Sequence, residues 1–98
     1  MGIAEPALGH FLVEWYGRRA SDVGISQAAS RLNDGAESVS ADGRQIRLLM
    51  ALAVPTDDYA FGVFAAESED TVAQACACAG APADRISIAI GWQEKFDR

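Results

Sequence analysis

Basic residues are scarce in this chain. Eight Lys and Arg stand against fourteen Asp and Glu, a formal net charge of −6. That balance argues against DNA or RNA as a partner, because neutralising phosphates takes a basic patch. Arg18-Arg19 is the one adjacent basic pair, and it reads as the end of a strand rather than a binding stripe. Histidine occurs once and cysteine twice, too few for a zinc constellation. Cys76 and Cys78 stand too close for an ordinary disulfide and fit a reducing compartment. Apolar runs are short: none nears the ~20 residues that span a bilayer, so no membrane is expected. Met1 to Leu8 has neither a basic n-region nor an apolar h-region, so the cytoplasm is the expected location. Also missing are a phosphate-binding glycine loop, a nucleophile elbow and an HExxH pair. Asp57-Asp58 and the carboxylates Glu67, Glu69 and Asp70 lack calcium-loop spacing and read as solvated acidic termini.

What is present is a globular composition: half of the 98 residues are apolar and 22% are charged. That length fits one domain with a modest core. The centre of the pattern is Ile46 to Ala66, two apolar runs (IRLLMALAV and YAFGVFAA) around Pro55-Thr56-Asp57-Asp58. Turn chemistry between two strand-length runs predicts an antiparallel hairpin. Both runs are apolar on both faces, so the hairpin belongs in the middle of a sheet covered on each side.

Before it, Met1 to Gly9 reads as a flexible arm and His10 to Gly17 as the first strand. Ser21 and Asp22 offer a helix N-cap. Ile25, Ala28, Ala29, Leu32, Ala36 and Val39 then recur at offsets of 0, 3, 4, 7, 11 and 14. This is a 3.6-residue period, predicting one helix that runs through Gly35 and stops at Asp42-Gly43. After the hairpin, Ser68 caps a second helix whose buried stripe is Val72, Ala75, Cys76 and Ala79; Gly80 and Pro82 end it. Cys78 falls on the outer face with Thr71 and Gln74. Asp84 to Trp92 is the last strand, and residues 93–98 form a polar tail. The domain therefore spans residues 10–92.

The order β-α-β-β-α-β predicts an α+β, ferredoxin-like architecture: a four-stranded antiparallel sheet with two helices on one face. Right-handed crossovers put the first and third strands in the centre. Alternation separates a bulkier set (Phe11, Val13, Trp15; Ile46, Leu48, Met50, Leu52; Tyr59, Phe61, Val63; Ile86, Ile88, Ile90) from a smaller one. We place the bulkier set under the Ala-rich helices. Glu14, Tyr16, Arg47, Gly62 and Phe64 then lie on the open face with Leu12, Leu49, Ala51, Ala60, Ser87, Ala89 and Gly91. That face is still too apolar to leave in water. A second copy stacked on it, giving a dimeric α+β barrel, is the expected cover. The arm folded over a monomer is the alternative.

Glu14, Arg47, Tyr16, Gly62 and Phe64 are accordingly the candidate ligand-binding residues. Glu14 in mid-strand needs a donor or a cation when covered, and Arg47 is the expected partner. Two readings stay open for it: a general base or ligand anchor, and a carboxylate on a partly wet face paired with Arg47. His10 could carry a proton or ligate a metal, or be solvated at the strand's start. It lies about 13 Å along the strand from Glu14. Cys76 and Cys78, two apart on a helix, point about 200° apart and cannot close on one ion.

FLVEWY, VPTDDYAFGVFAAES and AGAPADRIS resemble phrases of a small actinobacterial family of ferredoxin-like proteins that includes nickel-binding dimers. The resemblance runs from Phe11 to Ile90. It implies the same fold and a homodimer; for a cofactor it offers nickel by family resemblance alone, and the cofactor is otherwise left open. Family members often carry a third-strand Cys where this chain has Gly62, and an Arg-Ser pair where it has Met50-Ala51. No metal ligand carries over. The expectation is a non-enzymatic protein that binds a small ligand or metal ion at the covered sheet face. The alternatives are a small barrel enzyme acting on an apolar or aromatic molecule, with Glu14 or His10 as proton carrier, and a protein–protein interaction module.

Overall fold

The computed structural model describes residues 8–17 and 24–90. Nearly all of the expected arm, the Ser21-Asp22 cap, Gly91-Trp92 and the polar tail lie outside the described residues. Six elements follow in the expected order: β1 (Gly9–Tyr16), α1 (Ile25–Ser40), β2 (Ile46–Val54), β3 (Tyr59–Ala66), α2 (Glu69–Cys78) and β4 (Arg85–Ala89). The strands form one sheet in the order β2-β3-β1-β4, with every pairing antiparallel. β1 and β3 are central, as right-handed crossovers require. The hairpin is not wholly central, since its first arm, β2, is an edge strand.

Local chemistry explains the element ends. α1 runs unbroken through Asn33-Asp34-Gly35, and Gly35 earns its place by close packing. A Cβ there would land on the carbonyl oxygen of Ala75 in α2 and 3.2 Å from the Ala79 Cβ. Leu32, Ala36 and Val39 are buried on that stripe, whereas Ile25 at the helix start is 37% exposed. The turn between β2 and β3 is a 3₁₀ turn over Pro55–Asp57, closed by Asp58 at φ 49°, a left-handed conformation that Asp tolerates. Ser68 caps α2 by accepting from the Thr71 backbone N–H at 3.2 Å. Thr71 is not on the outer face: it is fully buried, its hydroxyl 2.9 Å from the Ser68 Oγ. Gly80, at φ 74°, ends the helix in the backbone region glycine favours.

The core lies between the helices and one sheet face: Phe11, Val13, Ile46, Phe64 and Ala66 meet Leu32, Ala36, Val39, Val72, Ala75 and Cys76. The facing of β3 and of the second half of β2 differs from expectation. Phe11, Val13 and Trp15 face the helices, and their partners on β3 are Phe64, Gly62 and Ala60. Cross-strand partners share a face, so these three lie in the core layer while Tyr59, Phe61 and Val63 face outward. Size complementarity fixes this arrangement: two indole carbons of Trp15 lie 3.5 Å from where a Gly62 Cβ would stand. On β2, a register shift between Leu48 and Met50 inverts the alternation. Ile46 and Leu48 point to the helices, then Ala51 and Ala53 do, and Met50 and Leu52 turn out. An extra residue in one strand of a ladder has this effect. Among the described residues, no helix is long and apolar enough to cross a membrane.

Candidate functional site

The open face carries Leu12, Glu14 and Tyr16 of β1, Tyr59, Phe61 and Val63 of β3, Met50 and Leu52 of β2, and Arg85 and Ser87 of β4. It is apolar for most of its extent. Met50 and Leu52 are each 48% exposed, and Leu49 at the bulge is 46% exposed.

One polar cluster interrupts it. The Tyr16 hydroxyl donates to Glu14 Oε1 at 2.8 Å, and the Tyr59 hydroxyl donates to the same oxygen at 3.3 Å. The two rings stack, centroids 5.9 Å apart and planes 16° apart. Phe61 follows Tyr59 at 5.8 Å and 42°. Position and sequence explain the grouping: Glu14 and Tyr16 are two apart on β1 and point to one face, and Tyr59 is the β3 partner of Tyr16. Arg85 is the β4 partner of Glu14.

Both phenols are held above their usual pKa of 10.0. For Tyr16 the first cause is its hydrogen bond to Glu14. For Tyr59 it is desolvation, with the Glu14 charge second. Arg85 works the other way on both. The phenols therefore remain donors at neutral pH, and Glu14 is an acceptor fixed in place, with both bonds ending on Oε1. Below the cluster, Asp84 ties the strand ends: its Oδ2 accepts the Tyr16 backbone N–H at 2.7 Å and its own N–H donates to the Glu14 carbonyl at 3.0 Å.

Three expected site residues are placed differently. Arg47 is not beside Glu14. It pairs with Ala65, whose β1 partner is His10, so it is two strands and four residues away from the carboxylate, with its side chain exposed. Gly62 and Phe64 are on the helix side, Phe64 fully buried in the core and Gly62 beneath Trp15. Glu14 and Tyr16 are brought together as the alternation requires. Sequence reasoning misses Tyr59 and Arg85: alternation places Tyr59 in the helix layer, and Arg85 needs the β1–β4 register, although it stands inside the phrase AGAPADRIS.

The described residues do not fit a nickel site. No group of three or more His, Cys, Asp and Glu comes together among them. His10 is exposed at the far end of β1, opposite Ala65 and Ala89. Cys76 is buried in the core, its thiol pushed up to about 12 by desolvation, and Cys78 is exposed.

No family model matches the chain, and no curated protein matches it. Among solved structures, the chain is similar to the crystal structure of SCO4226 from Streptomyces coelicolor A3(2), with a TM-score of 0.66 at 19% identity. The match covers 86% of this chain and 99% of that one. At this identity the likeness shows the fold, a ferredoxin-like β-α-β-β-α-β domain shared with an actinobacterial protein.

Proposed function

We propose that the chain is a non-enzymatic binding protein that pairs with a second copy through the open face of its sheet. In the space so enclosed it holds a small aromatic molecule carrying a hydrogen-bond donor. The observation that carries this reading is an apolar sheet face with one carboxylate fixed in it by two tyrosines. Leu49, Met50 and Leu52, each close to half exposed, adjoin half-buried Leu12, Phe61 and Val63, a contiguous apolar surface of the kind that marks an interaction site. Four strands about 4.8 Å apart and about 3.3 Å per residue give a footprint of roughly 500 Å² in projection. With side-chain relief this approaches the ~800 Å² per partner of a standard interface.

A mostly apolar site with few convergent polar groups is the usual form of a small-molecule pocket. The stacked Tyr16 and Tyr59 rings, with Phe61 beside them, offer a surface for a flat ring, and the Glu14 oxygen not engaged by the phenols offers an acceptor. Benzylamine combines both features and serves as the probe. Light scattering is expected to give the mass of two chains. Benzylamine is expected to raise the melting temperature of the wild type and not of Glu14→Gln, because a ligand confined to the folded state stabilises it. A mass of one chain, or an equal shift in both proteins, would refute the reading.

A further inference from the structure

A second site lies on the other side of the sheet. A cavity of about 410 Å³ opens between the layers, lined by Trp15, Ala28, Leu32, Ala51, Ala60 and Ala79 and, where it meets the end of the sheet, by Tyr16 and Phe61 as well. It opens to solvent and is of ligand size. Its cause is visible in the elements. α1 is buried on its inner stripe at Leu32, Ala36 and Val39 but less covered at its start, where Ile25 is 37% exposed and Ala28 only half-buried. Beneath that first stretch, the bulge in β2 turns Ala51 toward the helices, and the register of β3 turns Ala60. Alanines thus occupy the sheet floor, the α1 wall and the α2 wall, where a Leu at any one of them would fill space. Trp15 is fixed by its indole N–H, which donates to the Ala81 carbonyl at 2.8 Å, so its ring is a rigid flank with no donor left to satisfy.

Two charged side chains reach the lining. Asp84 accepts the Tyr16 backbone N–H through Oδ2 at 2.7 Å, and its carboxylate keeps an anion away from that side of the lining. Arg31 is exposed, and nothing among the described residues pairs with its guanidinium. A guanidinium that no described residue engages, at the mouth of an apolar, tryptophan-flanked cavity, suits a planar anion with a greasy body, because Arg binds carboxylates bidentately. We infer that this interlayer cavity binds a small aryl carboxylate, its ring against Trp15 among the alanines and its carboxylate on Arg31.

Phenylacetate is the probe, with 2-phenylethanol as its uncharged counterpart. Isothermal titration is expected to give phenylacetate a dissociation constant of about 1 mM or below, as ten heavy atoms of ordinary efficiency allow. Arg31→Gln is expected to weaken it about tenfold, the loss of a charge-assisted pair. Ala60→Leu, which fills the space, is expected to abolish binding; Ala51→Val serves the same purpose should Ala60→Leu not fold. Amide shift changes are expected at Trp15, Ala28 and Ala60. Changes centred instead on Glu14 and Tyr59 would overturn the inference while leaving a ligand on the open face. It is likewise overturned by no heat at about 10 mM phenylacetate, or by equal affinity for 2-phenylethanol. None of these outcomes depends on whether the chain pairs with a second copy.

Discussion

At the scale of single residues, Glu14 organises its neighbours through one oxygen. The chain holds two tyrosines, and both donate to that oxygen, so a phenolate absorbance titration observes the whole cluster. Both pKa values are raised, and the sign follows. The folded state holds each phenolic proton more tightly than the unfolded chain does. The contribution of the two hydrogen bonds is fully present below the unfolded value near pH 10 and is lost as pH rises through the higher folded values. Both tyrosines are expected to ionise later than tyrosine in the unfolded chain. Glu14→Gln is expected to lower Tyr16 more than Tyr59, because the bond to Glu14 leads the causes at Tyr16 and desolvation leads them at Tyr59. Equal shifts, or none, would show that the carboxylate does not order the cluster.

At the scale of elements, α1 and α2 approach through Gly35. Alanine in its place gains about 1 kcal/mol of helix propensity. Its methyl, however, would meet the Ala75 carbonyl oxygen, a backbone atom that cannot swing aside. The helices must part, and overpacking of this kind costs about 1–3 kcal/mol. The expected result for Gly35→Ala is a net loss of up to about 2 kcal/mol, read as a lower urea midpoint at unchanged slope; a stabilised variant would mean that the helices are not in contact there. The helix was legible in the sequence because a six-residue apolar set at a 3.6-residue period outweighs one glycine. The facing of β3 was not. YAFGVFAA carries aromatic residues at both parities, so alternation has no preference, and the choice belongs to Trp15, which needs Gly62 and Ala60 as partners. The bulge in β2 was hidden for a related reason: one extra residue inverts every later side chain without changing composition. The facing of β3 accounts for the misplacement of Gly62 and Phe64, and the bulge for that of Met50, Ala51 and Leu52. Arg47 and Arg85 were separated by register, which only the paired strands determine; mid-strand Glu14 and its neighbour Tyr16 were legible because adjacent parity on one strand needs no partner.

At the scale of the whole molecule, the helices cover one side of the sheet and no described element covers the other. The outward turn of Met50 and Leu52 makes that side greasier than the alternation implied, which strengthens the case for a second copy as its cover. If two chains share this surface, folding and association are linked, and the melting temperature must rise with protein concentration. Leu52→Glu places a charge within the proposed contact, where two copies related by a two-fold axis would each have to bury it. The expected result is a variant that remains folded, since Leu52 is half exposed in the single chain, yet melts at a temperature independent of concentration. Differential scanning calorimetry over a hundredfold range of concentration distinguishes the cases. A wild-type melting temperature that stays constant across that range would separate the fold from the pairing, and leave the Glu14 cluster on a surface facing water.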